Sequence, residues 1–105
     1  MDSNLSLKHV SKSNDRLKRL DLTKKNLRHL ELDLLENVDG LEFLDVSKNL
    51  IRTLDETIFD QMSKLENLYM NENCLTLLLP KTFFKLNRLK HLEISQNQIS
   101  TLRIT

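Results

Sequence analysis

The 105-residue sequence contains one glycine, one proline, one cysteine and no tryptophan. A single glycine leaves no material for a glycine-rich loop that cradles phosphates. A single cysteine, Cys74, excludes an internal disulfide. No apolar run approaches the roughly 20 residues that a membrane-spanning helix requires. The opening stretch MDSNLSLKHVSKSND lacks the apolar core of a secretory signal. Charge is abundant but balanced: 16 Lys and Arg stand against 15 Asp and Glu, a net +1. That balance argues against a broadly basic nucleic-acid binder. The charge is unevenly placed, at +5 over residues 1–30, −7 over 31–60 and +3 over 61–105. Blocks of this kind belong to a solvated, mixed-sign surface. A chain of this length forms at most one domain and buries only about two-thirds of its unfolded surface.

What is present is a repeat. Leu17-x-x-Leu20-x-Leu22 returns as Leu41-x-x-Leu44-x-Val46, Leu65-x-x-Leu68-x-Met70 and Leu89-x-x-Leu92-x-Ile94, each 24 residues after the last. Each tract continues alike, with Leu27 and Leu30, Ile51 and Leu54, Leu75 and Leu78, and Ile99 and Leu102. A second apolar set lies between the tracts: Leu35 with Val38, Phe59 with Met62, and Phe83 with Leu86. Asn49, Asn73 and Asn97 share one register. The first tract has Lys25 at that slot, with Asn26 one place later. Two apolar residues separated by one polar residue have the period of a strand and point to one side. A single such unit cannot bury its own apolar face, but stacked neighbours bury it together.

In residues 17–102 the pattern L-x-x-L-x-L-x-x-N-x-L resembles that of leucine-rich repeat proteins, in their typical 24-residue subclass. The resemblance implies an α/β repeat solenoid: a right-handed coil with a parallel concave β-sheet and short helical or irregular convex segments. It divides the chain into an N-terminal flank (1–16) and an array of units 17–40, 41–64, 65–88 and a partial 89–105. It also implies that Asn49, Asn73 and Asn97 form a ladder, bonding backbone groups of their own turn and of the adjacent repeat. Lys25 then marks the first complete repeat. Either its stem lies along the turn with the charge in water, or Asn26 fills the slot through a shifted turn. Pro80 suits a first helical position. Phe59 and Phe83 are expected to stack on the convex side, with Phe84 able to replace Phe83 after a small change of phase. Leu5, Leu7 and Val10 offer a makeshift cap over Leu20 and Leu27. At the other end Leu92, Ile94, Ile99 and Leu102 face along the axis uncovered. That open end points to a piece of a longer protein, or to end-to-end contact through the C-terminal repeat.

Alternation names the side chains of the concave face. Asp21, Asp45, Tyr69 and Glu93 lie between the inward apolar pairs. Arg19, Phe43, Asn67 and His91 lie one step earlier on that face, and Thr23, Ser47, Asn71 and Ser95 one step later. Phe43 and Tyr69, diagonal on neighbouring strands, are within reach of each other. An exposed aromatic pair beside carboxylates suits a protein-binding hot spot for a basic or amphipathic partner. The acids serve equally well to keep an exposed sheet soluble. His91 and Glu93 share a face, but no further His or Cys stands in register, so no metal is expected. No cofactor is implied, and there is no nucleophile with a base in register, so no enzyme is expected. Asn4, in Asn-Leu-Ser, fits the N-glycosylation rule and matters only for a secreted chain. The stretch RLKRLDLTKKNLRHL carries six Lys and Arg, yet they scatter over several faces without interleaved aromatics. They read as a solvated terminal repeat.

Three functional readings follow. The resemblance favours a protein-recognition module from an extracellular or cell-surface receptor or secreted immune-type protein, with no membrane span in this chain. The missing signal and the absence of paired cysteines favour an intracellular scaffold or regulatory subunit. A structural spacer without a ligand is the third.

Overall fold

The computed structural model describes residues 17–31, 38–99 and the backbone of 101–102. Leu35, Asn4 and the flank with Leu5, Leu7 and Val10 lie outside the described residues. Among the described residues six short strands follow one another: β1 (Arg19–Asp21), β2 (Phe43–Asp45), β3 (Asn67–Tyr69), β4 (Leu77–Leu78), β5 (His91–Glu93) and β6 (Thr101–Leu102). β1, β2, β3 and β5 form one parallel sheet in that order. Its register aligns Leu20, Leu44, Leu68 and Leu92, so the 24-residue period becomes one rung of a solenoid. Backbone bonds extend the ladder past the strand ends, from Leu22 N to Asp45 O (2.8 Å), Val46 N to Tyr69 O (2.9 Å) and Met70 N to Glu93 O (2.8 Å).

The core is the column of repeat positions. Leu20, Leu22, Leu27 and Leu30 of the first unit are buried, as are Leu41, Leu44, Val46 and Ile51 of the second and Leu65, Leu68, Met70 and Leu75 of the third. Full burial of each such side chain contributes about 1.5–3 kcal/mol. The convex limbs are turns over 56–61 and a 3-10 helix at Pro80–Phe83, with Pro80 in its first turn. Phe59 and Phe83 stack there, with centroids 5.8 Å apart and planes at 24°. Phe84 does not take that place and stands 68% exposed. The phase is held by Thr82 and Leu86, both buried on either side of the pair. A second, two-stranded sheet pairs β4 with β6, which the sequence pattern does not announce.

The asparagines form the ladder. The Asn49 Oδ1 accepts from the N–H of Lys25 and of Leu27, both at 2.9 Å, and its Nδ2 donates to Leu22 O (2.9 Å) and Val46 O (2.9 Å). Asn73 accepts from Ile51 N (3.1 Å) and donates to Val46 O (3.1 Å). Asn97 accepts from Leu75 N (3.1 Å) and donates to Met70 O (2.9 Å). Each amide thus ties its own turn to the preceding one. The first turn does not shift to bring Asn26 into the slot. Asn26 is exposed at φ 59°, and Asn49 clamps the amides on either side of it. The residue before the slot is left-handed in every turn: Lys24, Lys48, Glu72 and Gln96 have φ of 57°, 61°, 56° and 57°.

Candidate functional site

β1, β2, β3 and β5 are only three residues long, so each offers two side chains to the concave face and one to the core. Arg19 and Phe43 are directly paired in register, and the Arg19 guanidinium carbon lies 3.9 Å from the centre of the Phe43 ring. Phe43 meets Tyr69 diagonally at 5.3 Å between centroids, and Tyr69 meets His91 back across the next pair, also at 5.3 Å. Four planar groups from four strands therefore form one zig-zag row across the sheet. Cation–π and tilted aromatic contacts of this geometry fix the rings against each other. Phe43, Tyr69 and the neighbouring Asn67 are half-buried, while Arg19 and His91 are exposed. The row is an ordered, partly apolar strip.

His91 closes the row on Glu93. Its Nε2 lies 2.8 Å from the Glu93 Oε2, and the Asn71 Nδ2 donates to the other carboxylate oxygen at 2.9 Å. These two hydrogen bonds, His91 first, hold the Glu93 carboxyl below the usual range. Among the described residues no group of three or more His, Cys, Asp or Glu gathers as a metal site. Cys74 is half-buried in its turn.

The other two acids have a local role that alternation does not show. The Asp21 Oδ1 accepts from the N–H (2.9 Å) and the hydroxyl (2.7 Å) of Thr23. The backbone bond and then the hydroxyl hold its carboxyl below the usual value. The Asp45 Oδ1 accepts from the N–H of Ser47 at 2.9 Å. Both acids close the turn that follows their strand, as Asx turns do. The signal was the spacing Asp-x-Thr and Asp-x-Ser. A second polar ladder runs beside it, missed for the same reason. The Ser47 Oγ accepts from Asn71 N (3.0 Å), and the Asn71 Oδ1 accepts from the N–H (2.8 Å) and hydroxyl (2.9 Å) of Ser95. The eight concave candidates thus separate into a stacked row (Arg19, Phe43, Tyr69, His91), a filler (Asn67), two turn-closing acids (Asp21, Asp45) and one paired acid (Glu93). Among the described residues no helix is long and apolar enough to cross a membrane.

No curated protein matches the sequence. Among solved structures, one of the Toll–Spatzle complex of Drosophila matches with a TM-score of 0.78 and 21% identity, over 85% of this chain and 12% of that one. The leucine-rich repeat domain of APL1B matches with a TM-score of 0.78 and 24% identity, over 100% of this chain and 28% of that one. The chain therefore spans about an eighth and about a quarter of these two, and at such identities the likeness speaks for the fold. The leucine-rich repeat family profile matches residues 15–75 and, overlapping, 39–99. With four parallel rungs in 24-residue register, an asparagine ladder and that match over most of its length, the chain belongs to the leucine-rich repeat family.

Proposed function

We propose that the chain recognises a protein partner on the concave face of its sheet. The observation that carries this is the stacked row from Arg19 to His91. A face needed only for solubility has no use for two half-buried aromatics braced by a guanidinium and an imidazole. The row is also pre-organised, which lowers the ordering cost of binding. Asp21 and Asp45 each engage one carboxylate oxygen in a turn, and that leaves the second oxygen to the concavity. Aromatic surface beside acidic oxygens suits a basic or amphipathic segment. Leucine-rich repeat proteins are in general binding modules rather than enzymes, and the similar fold in the Toll–Spatzle complex belongs to a protein engaged with another protein. The subclass supports a place outside the cell or at its surface, as part of a larger receptor-like array.

A photo-crosslinking residue at Asn67, beside the row, is expected to trap the partner, and the same group at the convex Phe84 is not. Against that partner, Phe43→Ala with Tyr69→Ala should weaken binding about 30-fold, the range of a hot-spot loss near 2 kcal/mol. Circular dichroism checks that the double variant stays folded. Unchanged affinity in the folded variant excludes the concave row as the binding site.

A further inference from the structure

We propose a second binding surface, on the turn flank of the first two repeats, for a sulfated polysaccharide. It is built from Lys24, Lys25 and Arg28 of one turn and Lys48 and Arg52 of the next, all exposed. The basic stretch of the sequence does not predict this grouping. Its Lys18 goes to Glu42 at 3.3 Å and its Arg19 to the Phe43 ring at 3.9 Å. The remaining three stand on a turn beside the one that carries two cations from 24 residues further on. Backbone bonds from Lys24 N to Ser47 O (3.4 Å) and from Leu50 N to Leu27 O (2.7 Å) hold the two turns side by side. Lys24 with Lys48, and Arg28 with Arg52, therefore stand on successive rungs, about 5 Å apart at the backbone.

Three features distinguish this flank from an ordinary solvated surface. Lys18, Lys81, Lys85 and Lys90 pair with Glu42, Glu56, Asp60 and Glu66, whereas among the described residues none of the five flank cations makes a salt bridge; Lys64 and Arg88, which make none either, are two cations rather than five. Lys25 acts on Asp21 through space, but that carboxylate is hydrogen-bonded to Thr23. The cationic character also stops after two rungs, since the same slots hold Glu72, Asn73 and Thr76 in the third repeat. Finally, the backbone beneath is fixed by Asn49 through the amides of Lys25 and Leu27.

The same fixed backbone selects the ligand. The amides of Lys24, Lys25 and Leu27 are already engaged, so no nest of free N–H groups exists to cradle a single phosphate. Attraction comes from side-chain charge alone and requires several anions close together on one ligand. No Phe, Tyr or Trp occurs in 24–30 or 48–54, so the stacking platform that single-stranded nucleic acid uses is missing. A sulfated polysaccharide carries clustered anions, has no bases to stack and can follow both rungs.

The test is calorimetric titration of the intact chain with heparin as probe, at near-physiological salt. Lys48→Glu with Arg52→Glu should weaken heparin binding at least tenfold. Lys81→Glu with Lys85→Glu, which changes net charge equally on the convex side, should weaken it less than twofold. Lys48→Ala alone should lower the slope of log affinity against log salt by about one. Lys48→Gln with Arg52→Gln serves as a milder variant should the reversed one fail to fold, and a loss of about threefold or more is expected from it. Equal losses in flank and convex variants, or no heparin binding by the wild type, overturn the proposal. So does binding of polyglutamate or a single-stranded oligonucleotide as tight as that of heparin.

Discussion

Asn73 joins four backbone groups through one carboxamide: it accepts from Ile51 N and shares its amide hydrogens among Val46 O, Met70 O and Asn71 O. Leucine there keeps the bulk and removes every bond. The Ile51 N–H is then left unpaired in the core, at about 1–3 kcal/mol for a buried group, and Val46 O, Met70 O and Asn71 O each lose one of two donors, at about 1 kcal/mol or less apiece. Asn73→Leu is expected to cost about 3 kcal/mol or more in a urea titration. Asn26→Leu should cost only about 1 kcal/mol. That smaller cost comes from its left-handed backbone, which a branched side chain tolerates poorly, and not from lost partners. Comparable losses would refute the ladder's importance. The ladder was legible because three asparagines recur in one register. The roles of Asp21 and Asp45 were not, because alternation reports which way a side chain points and not that it bends back to the amide two residues on.

The convex limbs depend on a phase that apolar pattern alone leaves open. Phe83 and Phe84 are adjacent, and either satisfies a rule that asks for an aromatic on the return limb. What decides is Thr82 at 3% and Leu86 at 7% exposure, which fix the 3-10 turn so that Phe83 meets Phe59 and Phe84 meets solvent. Phe59 is fully buried, so its loss opens a void between two limbs. Phe59→Ala should destabilise by about 3–5 kcal/mol, and Phe84→Ala by no more than about 0.5 kcal/mol. The shift of the urea midpoint at constant slope reads both. A large effect at Phe84 would place it in the stack instead. The β4–β6 pair was invisible for a related reason. Two residues make no period, and Leu77–Leu78 became a strand only because Thr101–Leu102 lies 24 residues on, alongside.

Across the whole molecule, burial is set by neighbours on both sides of a rung. The leucine at the same strand position is 5% exposed in β1, fully buried in β2 and β3, and 39% exposed in β5. The sequence places Leu92 at the uncovered end of the array, but four nearly interchangeable tracts do not tell the size of this gradient. It appears only when the rungs are stacked and one side of β5 is left without a strand among the described residues. In a solenoid, stability is the sum of each repeat's own term and its interfaces. β2 and β3 have two interfaces each, and they carry Phe43 and Tyr69, the centre of the stacked row. The proposed recognition strip therefore rests on the firmest part of the fold, while its His91–Glu93 end rests on the loosest. Native-state hydrogen exchange should resolve this as a graded profile. The amides of Val46 and Asn67, bonded to Tyr69 O and Glu42 O across the β2–β3 interface, should be slow. Those of His91 and Gln98, bonded to Glu66 O and Leu75 O, should exchange faster, because among the described residues one interface holds the rung that carries them. A partner that reaches His91 should slow the second pair more than the first. Uniform protection in the free chain would instead mean that the four rungs open as one unit, and that the end of the row is as rigid as its centre.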